Sequence, residues 1–101
     1  MAATSRAGDG VQVMITNDGT EDILVTVYDM DAGQQMLLQG TRINGFTSVP
    51  ILAVGDARGR ANLSWTAASA DPTSPRCGHG KILQVANDSA VNVHADTSCK
   101  A

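Results

Sequence analysis

From Val11 onward, apolar residues recur at every second position rather than every third or fourth, and this alternation constrains the fold more than any other feature of the chain. A period of two puts alternate side chains on one face of a pleated strand. In VQVMIT, Val11, Val13 and Ile15 share a face, and in ILVTVY, Ile23, Val25 and Val27 do. The intervening NDGTED is turn chemistry, so the two runs read as a hairpin. QMLLQGTRI follows and ends at Asn44-Gly45, a pair suited to a two-residue type I′ turn, which would set Ile43 opposite Phe46. The return run FTSVPIL contains Pro50, which has no N–H for a ladder and therefore marks an edge strand. ANLSWTA turns Ala61, Leu63, Trp65 and Ala67 inward, and two further runs lie around KILQVA and AVNVHA. Runs of this number and spacing predict an all-β fold, an antiparallel two-sheet β-sandwich of about seven strands, with a small β-barrel as the alternative.

The 101 residues suffice for one core, so residues 11–101 read as a single domain behind a polar lead-in over residues 1–10. Tyr28, Phe46 and Trp65 are the only aromatics, which leaves the core to Val, Ile, Leu, Met and Ala. A net charge of −3, with the basic residues scattered, argues against a nucleic-acid partner. No apolar run reaches the roughly eighteen residues of a membrane helix, so no membrane span is expected. The lead-in has no apolar stretch of the signal-peptide type; for an exported protein the signal would be absent from this sequence.

Cys77, His79, His94 and Cys99 fall in the last quarter of the chain and superficially offer a Cys2His2 zinc site. If Asn87-Asp88-Ser89 is the loop of a terminal hairpin, Val85 opposes Val91, Leu83 opposes Val93 and Cys77 opposes Cys99. In that register the two imidazoles point to opposite faces, about 10 Å apart along the ladder, and cannot join a tetrahedral site. A bulge at Gly78 or Gly80 would shift the register by one but still let the cysteines meet. The expectation is a Cys77–Cys99 disulfide, with zinc or free thiols as alternatives. A disulfide in turn implies an exported setting, periplasmic or extracellular.

DMDAG, with Asp29, Asp31 and Gly33, has the spacing of a calcium loop, but the later ligands of such a loop are missing. Asp18, Glu21 and Asp22 would supplement it only from the same end of the fold, and turn chemistry explains both segments. No metal or cofactor is therefore assigned. The sequence has no G-x-S-x-G, phosphate loop or H-E-x-x-H, and no visible acid, base and nucleophile set. Asn62 and Asn87 head glycosylation sequons that matter only in a eukaryotic source. The excess of Arg over Lys and the abundance of Ala fit a bacterial coding sequence. As a whole the chain resembles small exported bacterial β proteins of uncharacterised function; no motif carries the resemblance, and it transfers no site residues.

The expected function is a non-catalytic exported binding or surface-interaction module with a protein or glycan partner, monomeric or weakly self-associating. A small exported hydrolase and a calcium- or zinc-binding domain are the alternatives. Two candidate surfaces stand out. The loop GDARGR offers Arg58 and Arg60, whose guanidinium groups grip carboxylates in bidentate fashion. Met14, Leu24 and Tyr28, joined by Met36 or Leu37, form an outward apolar set that as a contiguous patch would imply self-association or a protein partner.

Overall fold

The computed structural model describes residues 10–73 and 75–99. The lead-in lies outside them except for Gly10, which already belongs to the first strand. The chain runs β1 (Gly10–Asn17), β2 (Ile23–Asp29), a 3-10 turn (Met30–Ala32), β3 (Gln35–Ile43), β4 (Ser48–Val54), β5 (Ala61–Ser69), β6 (Arg76–Val85), β7 (Ser89–Val93) and the short β8 (Thr97–Ser98). These form a sandwich of two sheets, β4-β1-β7 and β3-β2-β5-β6-β8, and not a closed barrel.

The alternating residues meet between the sheets. Val11, Val13, Ile15, Ile51, Ala53 and Val93 come from the three-stranded sheet. Ile23, Val25, Val27, Ile43, Ala61, Leu63, Trp65, Ala67 and Val85 come from the other, and all fifteen are buried. At about 1.5–3 kcal/mol for each large aliphatic side chain, this interface supplies the main driving force of the fold. β4 is an edge strand, as Pro50 requires.

The connections differ from those expected. β1 and β2 are not a hairpin but lie in opposite sheets, and so do β3 and β4. Inward alternation is the same whether the next strand returns beside its predecessor or arches over to the facing sheet about 10 Å away. At the β1–β2 arch the buried Asn17 side chain holds the chain: its Nδ2 donates to the carbonyls of Glu21 (2.7 Å) and Ile43 (3.0 Å), and its Oδ1 accepts from Gly19 N–H (3.0 Å). At the β3–β4 arch, Asn44-Gly45 does not make a type I′ turn. The left-handed residue is Phe46, φ +58°, while Gly45 is needed for space, since a Cβ there would overlap the Thr20 carbonyl.

The terminal hairpin is also replaced. Asn87 Oδ1 accepts from Gln12 N–H and Gln12 O accepts from Asp88 N–H, which docks this loop on the start of β1 and lays β7 parallel to it. Hence Leu83 does not oppose Val93, nor Val85 Val91. The chain then crosses back, and β8 pairs with β6 with Cys77 opposite Thr97 rather than Cys99. The Cys77–Cys99 disulfide nevertheless forms, closing diagonally at a Cα–Cα distance of 4.9 Å. It fixes residues 94–99 across the end of the core, where the His94 ring meets Trp65 edge-on at 5.7 Å. Gly78 and Gly80 make room: a Cβ at Gly78 would overlap the His94 carbonyl oxygen, and one at Gly80 would sit 2.9 Å from Trp65 Nε1.

Candidate functional site

The outer face of the five-stranded sheet carries a broad, shallow concavity. β5 is its central strand, and the outward positions of β5 are small: Ser64, Thr66 and Ala68. Residues of equal or greater size flank them at matched register. Tyr28 and Lys81 stand on either side of Ser64, Thr26 and His79 on either side of Thr66, and Leu24 and Cys77 on either side of Ala68. A small floor between taller banks makes a trough along β5. Its Leu24 end offers about 630 Å³ and its Tyr28 end about 340 Å³, both open to solvent, and the two share Thr66 and His79.

The β3 backbone opens the trough further. Two residues, Gln39 and Gly40, face Thr26 where one is expected, a bulge between the pairs Val25↔Thr41 and Val27↔Leu38. Gly40 takes φ +54°, and its N–H donates to Thr26 Oγ1 at 3.0 Å. The glycine leaves that bank low. Met36 lies opposite Tyr28 and extends the apolar rim, being 47 % exposed, whereas Leu37 packs against the core.

The sequence candidates are thus divided. Leu24 and Tyr28 both line the trough, on the same face of β2. Met14 does not join them: it lies on the outside of the other sheet, between Pro50 and Ala90. Arg58 and Arg60 are in the β4–β5 loop, beside the Gly10 end of β1. That loop is organised by Asp56, whose Oδ1 accepts from the N–H groups of Arg58 and Arg60 and whose Oδ2 accepts from the Asn62 and Gln84 side chains. The bonds from Asn62 and Gln84, then those from the two arginine N–H groups, hold the Asp56 carboxyl well below the usual carboxylate range. Arg58 is left exposed, and Arg60 Nη1 reaches the Gln84 carbonyl at 3.5 Å.

Other chemistry finds little support. The Asp29 carboxylate is buried and spoken for, accepting from Asp31 N–H at Oδ1 and from Val54 N–H at Oδ2. Both cysteines are in the disulfide, and no group of three or more His, Cys, Asp or Glu among the described residues is placed to hold a metal ion. His79 faces the trough, while His94 lies on the Trp65 side of the sheet, 3.8 Å from Asp96. Among the described residues neither imidazole is hydrogen-bonded to a hydroxyl that could serve as a nucleophile. No helix of the described residues is long and apolar enough to cross a membrane.

The arch end holds the residues that sequence reasoning missed. Phe46 is 70 % exposed at its tip, and its N–H donates to the Gly19 carbonyl (3.1 Å). Gly45 N–H donates to Asp22 Oδ1, and Asp22 Oδ2 receives Arg42 Nη2 at 2.6 Å. Thr26, Ser64 and Thr66 were likewise missed, although their outward parity and small size were available in the sequence. Strand order, which alone makes β5 central, was not. Comparison of the chain with protein-family models, with curated proteins and with solved structures finds no match in any of the three.

Proposed function

We propose that the protein is an exported, non-catalytic interaction domain whose contact surface is the trough on the outer face of the five-stranded sheet. The observation that carries this reading is the continuous run of small side chains on the central strand between banks bearing Leu24, Tyr28, His79 and Lys81. Such a surface offers apolar contact together with hydroxyl, imidazole and ammonium groups for orientation, the combination that ligand-binding concavities use. It rests on strands rather than mobile loops, so little ordering is required when a protein or glycan docks. The disulfide supports the exported setting, because such bonds persist in oxidising compartments.

Titration of 15N-labelled protein with soluble oligosaccharides and with short peptides tests the reading. The resonances of Thr26, Ser64, Thr66 and His79 are expected to move. Shifts centred on Arg58 and Arg60, or on Met14, would overturn the assignment of the trough. Assays on ester and glycoside substrates are expected to give no turnover; turnover lost in His79→Ala or His94→Ala would overturn the non-catalytic reading.

A further inference from the structure

Phe46 combines two properties that rarely coincide. Among the described residues it is the most exposed of the large apolar side chains, at 70 %, and its backbone is left-handed at φ +58°, a region that bulky residues avoid. The turn is clamped in that form. Phe46 N–H donates to Gly19 O, Thr47 N–H donates to Asn44 O, Asn17 N–H donates to Thr47 O, and Gly45 lies against the Thr20 carbonyl. The result is a rigid aromatic knob, the kind of group that dominates binding energy when it enters a pocket. An outlier of this sort, held by its surroundings, points to function.

Charge says where such a knob fits. Gly19, which bonds Phe46, lies between the exposed acids Asp18 and Glu21. Of the two nearby arginines, Arg42 is taken up by Asp22, and Arg76 lines the hollow beside Glu21 together with Asp96, so the acids outnumber the free cations at this end. The trough has the opposite character. Its lining includes Lys81 and His79, with no carboxylate, and its Leu24 end is open and largely apolar. We propose that the Phe46 turn of one copy seats in the trough of a second copy, with Asp18 and Glu21 set towards His79 and Lys81. This rests on the reading of the trough as the contact surface and names its occupant.

Knob and trough are different patches of the same molecule, so the contact is heterologous and propagates head to tail. One aromatic buries about 150–250 Å² and, even with its rim, falls short of the roughly 1,000 Å² of a stable interface. Association is therefore weak and dependent on concentration and salt.

Sedimentation of the full chain over a concentration series decides the matter. The weight-average mass of the wild type is expected to rise above that of the monomer as the concentration approaches about 1 mM, where even contacts of about 4 kcal/mol register. Phe46→Ser removes the knob and Thr66→Arg fills the trough. Each is expected to weaken association on the order of tenfold or more. His79→Glu, at an exposed position, sets a carboxylate against the acidic rim and should act like Thr66→Arg even if the latter disturbs folding. The decisive arm mixes Phe46→Ser, whose trough is intact, with His79→Glu, whose knob is intact. The mixture should form dimers that neither variant forms alone, and no longer chains; a mixture that stays monomeric where wild type associates overturns the proposal. Phe46→Ser mixed with wild type should cap growing chains and lower the mean mass. A wild type that stays monomeric, or a Phe46→Ser variant that associates like wild type, overturns the proposal. If the wild type stays monomeric while oligosaccharides or peptides still shift Thr66 and His79, only the second copy is overturned and the trough stands; if neither occurs, both readings fall.

Discussion

The Asn17 side chain is 1 % exposed and joins three backbone positions, Gly19, Glu21 and Ile43, that belong to the two arches at one end of the sandwich. Removing it leaves the buried Ile43 carbonyl and the half-buried Glu21 carbonyl and Gly19 N–H without their partner. Asn17→Ala is accordingly expected to destabilise the fold by about 1–3 kcal/mol, read as a lower denaturation midpoint in urea. Phe46 presents the opposite case. Its left-handed backbone costs about 1 kcal/mol relative to a residue that tolerates that region. Phe46→Asn should therefore raise stability by about 0.5–1 kcal/mol, and an unchanged or lowered midpoint would show that the aromatic ring packs usefully in the isolated chain. A residue that is worse for stability than its obvious replacement is one whose retention needs another explanation, and the proposed contact with a second copy would supply one.

At the scale of elements, the β6 strand and the closing segment 94–99 behave as one unit. The disulfide closes a loop of sequence separation 22, which in the chain-entropy model is worth about 3 kcal/mol. At roughly 4–8 °C per kcal/mol for a domain of this size, reduction should lower the melting temperature by more than about 10 °C. Trp65 is the only tryptophan and lies against His94, so reduction should also move its emission to longer wavelength as the segment loosens. Unchanged emission in the reduced, folded protein would mean that hydrogen bonding at Thr97 holds the segment without the crosslink. The β4–β5 loop gives a pH dependence. Asp56 and Asp22 have their carboxyls lowered by hydrogen bonds from residues that folding brings to them, and Asp71 has its carboxyl lowered by bonds from Thr73 two residues on. A group depressed on folding contributes stability above its unfolded value, and that contribution is lost as pH falls towards the folded one. Stability should thus decline below about pH 4, and Asp56→Asn should flatten the decline; a steeper decline in that variant would contradict the role given to Asp56.

For the whole molecule, what could be read from the sequence was what each strand does by itself. Period-two runs located the strands and their inward faces, and Pro50 marked an edge, because these depend only on local sequence and pleat. Which sheet a strand joins depends on connections, and those turned on side chains that look like ordinary turn residues: Asn17, Gly45 and Asn87 each direct an arch through contacts with residues far along the chain. The disulfide was legible although the register used to argue it was not, since a diagonal crosslink tolerates a shift of two residues. Leu24 and Tyr28 are legible as outward and apolar, and Met14 groups with them only in a fold where β1 and β2 form one hairpin. Once β1 is placed in the other sheet, the surface around Leu24 and Tyr28 gains β5 and β6 as floor and bank, and becomes a trough rather than a stripe. That this trough takes up the Phe46 turn of a second copy is the central claim, and the most direct measurement is the change in 15N–1H resonances of the unaided protein on dilution. The resonances of Thr26, Ser64, Thr66 and His79 should move together with those of Gly45 and Phe46; spectra that do not change, or changes confined to Arg58 and Arg60, would contradict it.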